Sequence, residues 1–396
     1  MVEHLAPIYP PAYLGILGGG QLGRMFTHAA QDMGYKVCVL DPDPQSPAGA
    51  IAEQHIQADY LDEKALLELA SLCPAVSTEF ENVPALALDF LANQGVYVAP
   101  NNVGVSIAQN RVAEKKFLAT WEKEAGIGPA PHQVIEHDQD IEHVSSNLFP
   151  GILKTARMGY DGKGQISVDS KEQLQQAWDT FGKVPCVLEK KLSLDFEVSA
   201  LVVRGHDNQV LTYPLAENRH HDGILHISMV PAPSLDVALE KRILEAAKAI
   251  IRRLDYVGVL CIEFFILTDG SVVSNEIAPR PHNSGHHTMD SCVTSQFEQQ
   301  VRALARLPLG STHLLSSVAM LNILGDIWFN DPSRPEDISS PKWEFVLADP
   351  NAKLHLYGKA EPKLGRKMAH INFLADDVNQ ALTQCYLASQ ILGIHK

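Results

Sequence analysis

The chain has 396 residues with a formal net charge of −15, 45% of them hydrophobic and 20% charged. That length predicts two or three hydrophobic cores. The acidic balance, without any Lys/Arg-rich run, argues against a nucleic-acid partner, and no apolar run approaches the ~20 residues of a membrane helix. The opening "MVEHLAPIYPPAY" lacks the basic and apolar parts of a secretory signal and reads as a loose tail. The six cysteines are scattered, with no C-x-x-C pair, and several sit in apolar runs. Both features point to a reducing, cytoplasmic compartment.

Along residues 13–100, short apolar runs alternate with helical patterns. "YLGIL", "KVCVLD", "PAVSTEF" and "VYVAP" are expected strands, and "QLGRMFTHAAQDMG", "EKALLELASL" and "PALALDFLANQ" the helices between them. Such alternation predicts a parallel, wound sheet. A further helix is expected over 109–125, closed by Gly126. From about 131 the runs lengthen and alternate, as in "DFEVSALVVRG", "QVLTYPLAEN" and "GVLCIEFFIL", with a helix in "LDVALEKRILEAAKAIIRRL". This predicts an α+β region around an antiparallel sheet. Two strands, "KLHLYGK" and "MAHINFL", and a helix from Val378 towards Leu392 complete the chain. The expected domains are 13–125, 126–310 and 311–396.

Three stretches carry chemistry. Gly18, Gly20 and Gly23 give the G-x-G-x-x-G spacing after the first strand, with Asp41 ending the second. That is the layout of a dinucleotide-binding unit. Asp41, however, opens the proline-rich "LDPDPQSPAG", which suits a loop better than a cofactor clamp. A tight turn whose helix N-terminus faces an anion uses the glycines equally well.

In "CIEFFILTDGSVVSNEIAPRPHNSGHH", Asp269-Gly270 is a hairpin signal. A two-residue turn there sets Thr268 opposite Ser271, Leu267 opposite Val272, Phe265 opposite Ser274 and Glu263 opposite Glu276. Like charges so placed repel unless offset. A divalent oxygen-seeking cation would offset them, although a solvated pair or a different register fits the same residues. The H-x3-HH spacing of the histidines lacks a second ligand pair and gives poor grounds for zinc.

In "GILKTARMGYDGKGQISV", a strand ends at Lys154, and Gly159, Gly162 and Gly164 punctuate the loop beyond it. Such a loop can close backbone N–H groups around phosphate, with Lys163 adding charge; a plain hairpin turn is the alternative. Glu189 and Glu197 follow, either exposed or accepting hydrogen bonds from a ribose or a base edge.

Lys154, "GYDGKGQ", Glu189, Glu197, Glu263 and Asn275-Glu276 together resemble the nucleotide site of the ATP-grasp superfamily. With "GILGGGQLGRM", "ENRHHDGIL", "NEIAPRPHNSGHHT" and "GRKMAHIN", essentially the whole chain from Tyr13 resembles the N5-carboxyaminoimidazole ribonucleotide synthetases, ATP-dependent carboxylases of bacterial and fungal purine synthesis. The resemblance implies an ATP-grasp fold with an N-terminal parallel wound α/β domain, a central antiparallel ATP-binding region and a small β-rich C-terminal domain.

It also implies ATP, Mg²⁺ (or Mn²⁺), bicarbonate and 5-aminoimidazole ribonucleotide as ligands, and a homodimer. Arg111, Lys154 and the loop Gly159, Tyr160, Asp161, Gly162, Lys163, Gly164 and Gln165 would contact the ATP phosphates. Glu189, Lys190, Lys191 and Leu192 would meet adenine, Glu197 the ribose, and His220 and Asn275 would complete the nucleotide site. Glu263 and Glu276 would hold the metal. Gln21, Leu22, Glu79 or Glu81, Tyr160, Arg280, His282 and Asn283 would face the ribonucleotide, and Lys359, Arg366 and Lys367 its phosphate. Arg280, His282, Asn283 and Asp161 are the expected catalytic groups. A different ATP-grasp carboxylate–amine ligase would share the ATP residues but not the "PRPHNSGHH" and "GRKMAH" combination. An NAD-dependent oxidoreductase would rest on the first glycine motif alone.

Overall fold

A computed structural model describes residues 6–157, 164–331 and 337–394. The first sheet is parallel throughout. It is built from β1 (Tyr13–Leu17), β2 (Lys36–Leu40), β3 (Gln54–Ile56), β4 (Ala75–Thr78) and β5 (Tyr97–Val98), in the order β3-β2-β1-β4-β5. The chain order reverses beside β1, so a crevice opens at the carboxyl ends of β1 and β4, where open α/β sheets bind ligands. β3 had no signal of its own, being three residues long and only partly buried. Helix Arg111–Ala125 starts two residues later than expected and is preceded by a separate helix, Asn102–Ala108. Asn110 caps its N-terminus, and Gly126 ends it with φ +74°, the left-handed conformation that glycine adopts without strain.

The remaining strands pair antiparallel. β6 (His132–Ile135), β7 (Gly151–Thr155), β8 (Gln165–Val168) and β9 (Cys186–Lys190) form a four-stranded sheet in the order β6-β9-β7-β8. The larger sheet contains β10 (Leu194–Arg204), β11 (Val210–Thr212), β12 (Ala216–His221), β13 (Ile224–Val230), β14 (Gly258–Leu267), β15 (Val272–Ala278), β16 (Ser317–Leu324), β17 (Ala352–Leu356) and β18 (Lys367–Ala375). Its order is β15-β14-β10-β12-β13-β16-β18-β17, with β11 on β10, so one sheet continues across residue 310. The expected run "QVLTYPLAEN" divides into β11 and β12 around Pro214, which has no N–H to give a ladder.

Alternation decides which residues of β14 reach the cleft. Leu260, Ile262, Phe264 and Ile266 pack into the core with Ile243, Ala247 and Ile250 of helix Val237–Arg253. The opposite face turns Glu263 and Phe265 into the cavity.

The glycines after β1 permit close packing. A Cβ on Gly23 would lie 2.6 Å from the Gly18 carbonyl oxygen, and backbone cannot yield cheaply there. Gly23→Ala is expected to destabilise the protein by about 1–3 kcal/mol, the usual cost of overpacking, read as a lower urea midpoint. An unchanged midpoint would mean that helix Gln21–Asp32 shifts freely on β1.

Candidate functional site

A cavity of about 840 Å³ lies where the three sheets meet, lined by residues from Gly20 to Lys367. At its centre Glu189, at the end of β9, is 3% exposed and has three cations around it. Lys154 Nζ donates to Oε2 at 3.0 Å, while Lys115 Nζ and Arg111 Nη1 lie 3.4 and 3.9 Å from Oε1. Burial pushes the carboxyl up, but Lys115, Lys154 and Arg111 outweigh it and hold the group at about 2. Arg111 Nη1 is also 3.8 Å from Glu276 Oε2. Lys190, Lys191 and Leu192 continue along the rim, with Ile152 and Phe265 forming apolar wall. His220 Nδ1 is 3.0 Å from Glu197 Oε2. Burial works against the imidazolium there, yet the Glu197 hydrogen bond and charge raise the His220 pKa.

The hairpin register corrects the expectation. Leu267 N–H donates to Ser271 O and Gly270 N–H to Leu267 O, and Gly270 has φ +81°. The loop therefore takes three residues, with glycine in the left-handed position. Near the turn Ile266 pairs with Val272, Phe265 with Val273 and Phe264 with Ser274, one off the expected register. A bulge then restores it, with Ile262 on Ile277 and Cys261 on Ala278. Glu263 consequently opposes two residues, Asn275 and Glu276, instead of Glu276 alone.

Burial, followed by the charge of Glu276, pushes the Glu263 carboxyl up to about 8. Asn275 Nδ2 donates to Glu263 Oε2 at 3.4 Å, and the buried Asn275 Oδ1 has no protein partner. Two carboxylates and an amide oxygen are hard oxygen donors, which fits Mg²⁺ or Mn²⁺ and not a thiolate-seeking metal.

The other half of the cavity joins the first sheet to the segment after β15. Arg280 forms a two-pronged ion pair with Glu81 through Nε and Nη2. Burial disfavours both charges, but each holds the other ionised. His282 lies with Nε2 3.5 Å from Glu263 Oε1 and Nδ1 2.8 Å from Ser284 Oγ. Burial, then Arg280 and Lys367, drives its pKa well below that of free histidine, so the ring is neutral. Both side-chain polar atoms of Asn283 are buried without a protein partner.

Gln21, Leu22 and Glu79 line the same side, but the helix N-terminus does not offer itself to a ligand anion. Glu79 occupies it, accepting from Gly20 N–H at 2.5 Å and Leu22 N–H at 3.0 Å. Asp41 turns inward to Gly19 N–H (2.6 Å) and Tyr60 OH (2.7 Å). The glycine motif thus binds the protein's own carboxylates.

Lys367 lines the cavity; Lys359 and Arg366 do not. Lys359 Nζ donates to the Lys367 carbonyl at 2.5 Å, and Arg366 Nη1 turns away to the Glu361 carbonyl. Of the glycine loop, Gln165 lines the cavity and Gly164 accepts from Thr155 N–H. Gly159, Tyr160, Asp161, Gly162 and Lys163 lie outside the described residues. Sequence reasoning missed Glu114 and Lys115. The spacing Arg111–Glu114–Lys115 puts all three on one helix face, but nothing local distinguished that face from a solvated one.

Residues 12–109 match the ribonucleotide synthetase preATP-grasp domain, 121–297 the ATP-grasp domain and 318–384 the phosphoribosylaminoimidazole carboxylase C-terminal domain. The N5-carboxyaminoimidazole ribonucleotide synthase of Bacillus subtilis is 41% identical over 372 residues, covering 93% of this chain and 92% of its own length. The chain belongs to the N5-carboxyaminoimidazole ribonucleotide synthase family.

The Brucella melitensis member is 42% identical over 91% of this chain and 96% of its own. A solved synthetase of the family in complex with ADP superposes with TM-score 0.88 at 38% identity, covering 98% of this chain and 99% of the other. The Aspergillus clavatus synthase, solved with ADP and 5-aminoimidazole ribonucleotide, gives 0.85 at 31% identity, over 97% and 99%. Membership makes this chain an ATP-grasp enzyme of the ligase class. No helix among the described residues is long and apolar enough to cross a membrane.

The unbalanced carboxylates carry a stability consequence. A carboxyl held near 8 in the folded chain and at 4.5 when unfolded costs no stability below 4.5. The cost grows as pH rises from 4.5 to about 8 and is constant above that. Glu263→Gln is expected to stabilise the metal-free protein, with the gain growing across that window, while weakening divalent-metal binding. Chemical denaturation in chelator at several pH values checks this; a pH-independent difference would contradict it.

Proposed function

We propose that this chain uses ATP and bicarbonate to carboxylate the exocyclic amine of 5-aminoimidazole ribonucleotide, in purine synthesis. The observation that supports this most is the make-up of the cavity where the sheets meet. It brings the Glu189 cation ring and the Glu263–Asn275–Glu276 group together with Arg280, His282, Asn283 and Lys367. Family resemblance further supports a homodimer.

Bicarbonate oxygen attacks the γ-phosphorus, the bond to the β-phosphate oxygen breaks, and ADP and carboxyphosphate result. Carboxyphosphate then separates into CO₂ and phosphate. The amine nitrogen attacks CO₂, the new C–N bond gives the carbamate, and one amine proton leaves. Arg111 and Lys154 meet phosphate charge, preorganised by Glu189 at no reorganisation cost during reaction. Ile152, Leu192 and Phe265 offer a flat apolar wall suited to a base. Glu263, Glu276 and Asn275 Oδ1 would hold Mg²⁺, which when bound supplies electrostatic stabilisation of the phosphate oxygens.

Carboxyphosphate and CO₂ must be kept from water and near the amine. Neutral His282 can accept or share a hydrogen bond beside Glu263 without adding charge. Arg280, fixed by Glu81, sets a cation beside the acceptor. Lys367 supplies a further cation on that side for the ribonucleotide phosphate.

With ATP, Mg²⁺ and bicarbonate, ADP release is expected to rise strongly on adding 5-aminoimidazole ribonucleotide, with bicarbonate carbon entering an acid-labile product. ATP binding without that stimulation would move the search to other acceptors. Lys367→Ala should weaken ribonucleotide binding by about tenfold or more, the worth of a charged hydrogen bond, and ATP binding much less. Equal losses would contradict its assignment.

A further inference from the structure

Glu114 and Lys115 are consecutive residues near the start of helix Arg111–Ala125, 3% and 0% exposed. Burying a charge of each sign is costly, and both side chains make a hydrogen bond to the backbone of one neighbouring strand. Lys115 Nζ donates to the Asn275 carbonyl at 2.7 Å, and Ile277 N–H donates to Glu114 Oε1 at 2.6 Å. These two backbone groups flank residue 276. β15 is the terminal strand of its sheet; its outer edge has a parallel bridge at Ser274, whose N–H donates to Gly128 O, and its ladder with β14 is interrupted by the bulge just beyond. The segment bearing Asn275 and Glu276 therefore has weakened support from β14 and two buried side-chain hydrogen bonds from the helix.

We propose that Glu114 and Lys115 form a two-point clamp that fixes the backbone around Glu276 and so aims Asn275 and Glu276 at the divalent cation. They are positioning residues. Lys115 also reaches Glu189, so the same helix turn joins the metal strand to the nucleotide ring. A regular strand would hold its own side chains in register, but the bulge that brings Asn275 and Glu276 both opposite Glu263 forfeits that support. The clamp rests on the reading that Glu263 and Glu276 hold a divalent cation.

The test compares Glu114→Leu, Glu114→Gln and Lys115→Met in the full chain. Mn²⁺ binding to the ADP complex is followed by electron paramagnetic resonance, alongside metal-free ADP affinity and the unfolding midpoint. Loss of a group that orients a metal ligand weakens metal binding by roughly 10–100-fold. Both Glu114→Leu and Lys115→Met are expected to fall in that range, Glu114→Leu with metal-free ADP affinity retained and Lys115→Met with some loss of it, because Lys115 also belongs to the cation group around Glu189. Glu114→Gln keeps an oxygen that accepts from Ile277 N–H and is expected to bind Mn²⁺ nearly as well as wild type.

Unchanged Mn²⁺ affinity in folded Glu114→Leu or Lys115→Met overturns the clamp. So does equal weakening in Glu114→Gln and Glu114→Leu, which would make charge the operative property, or a parallel loss of metal-free ADP affinity in Glu114→Leu. Absence of Mn²⁺ binding by the wild type overturns the clamp and the metal reading together. Normal Mn²⁺ binding by the wild type, weakened in Glu114→Leu but without ribonucleotide-stimulated ADP release, supports the clamp and overturns only the choice of acceptor.

Discussion

Three cationic side chains crowd one buried carboxylate, and the cleft is organised around that imbalance. Arg111, Lys115 and Lys154 come from a helix and from β7, and Glu189 from β9. Without Glu189 the cations would repel one another in a low-dielectric setting; with it that repulsion is offset and the three side chains are held in place. In a chain of net charge −15, anion binding cannot come from a general positive field. It depends on local cations held by geometry. A surplus of positive charge around one carboxylate is the condition that a triphosphate satisfies.

The opposite imbalance lies beside it, on the other side of Arg111. Burial and the neighbouring Glu276 both oppose ionisation of Glu263, and the bulge in the β14–β15 ladder brings Asn275 beside them. The positive group and the negative group share Arg111, which approaches both Glu189 and Glu276. A nucleotide with its metal would neutralise the two together, so affinity for either depends on the other. The glycine-rich turn after β1 illustrates a different use of polar backbone. Its N–H groups are spent on Glu79 and Asp41, fixing a wall of the cleft instead of receiving a dinucleotide.

Much of this was legible in the sequence because the signals were local. Alternating runs marked β1, β2, β4, β14 and β18, and Gly126 marked the end of its helix. Asp269-Gly270 marked the hairpin, but one glycine in the left-handed region made the loop a residue longer. The bulge could not be read because it reflects how β15 meets its neighbours. Glu114 and Lys115 were silent for a related reason: their charges look solvated on a helical wheel, and only packing against an edge strand buries them. Arg366 shows the converse, a cation in a suggestive tripeptide whose guanidinium turns to the Glu361 carbonyl. Side-chain direction at a turn is decided by the backbone's own hydrogen bonds, which composition does not record.

In the proposed reaction, bicarbonate is activated by phosphoryl transfer inside this cavity before carbon reaches the amine. Turnover with ¹⁸O-labelled bicarbonate, followed by mass spectrometry of the released phosphate, tests it directly. Transfer of one labelled oxygen into inorganic phosphate for each ADP formed is the expected result. Carboxylated ribonucleotide appearing with unlabelled phosphate would contradict the account, because ATP would then be cleaved by water and not by bicarbonate.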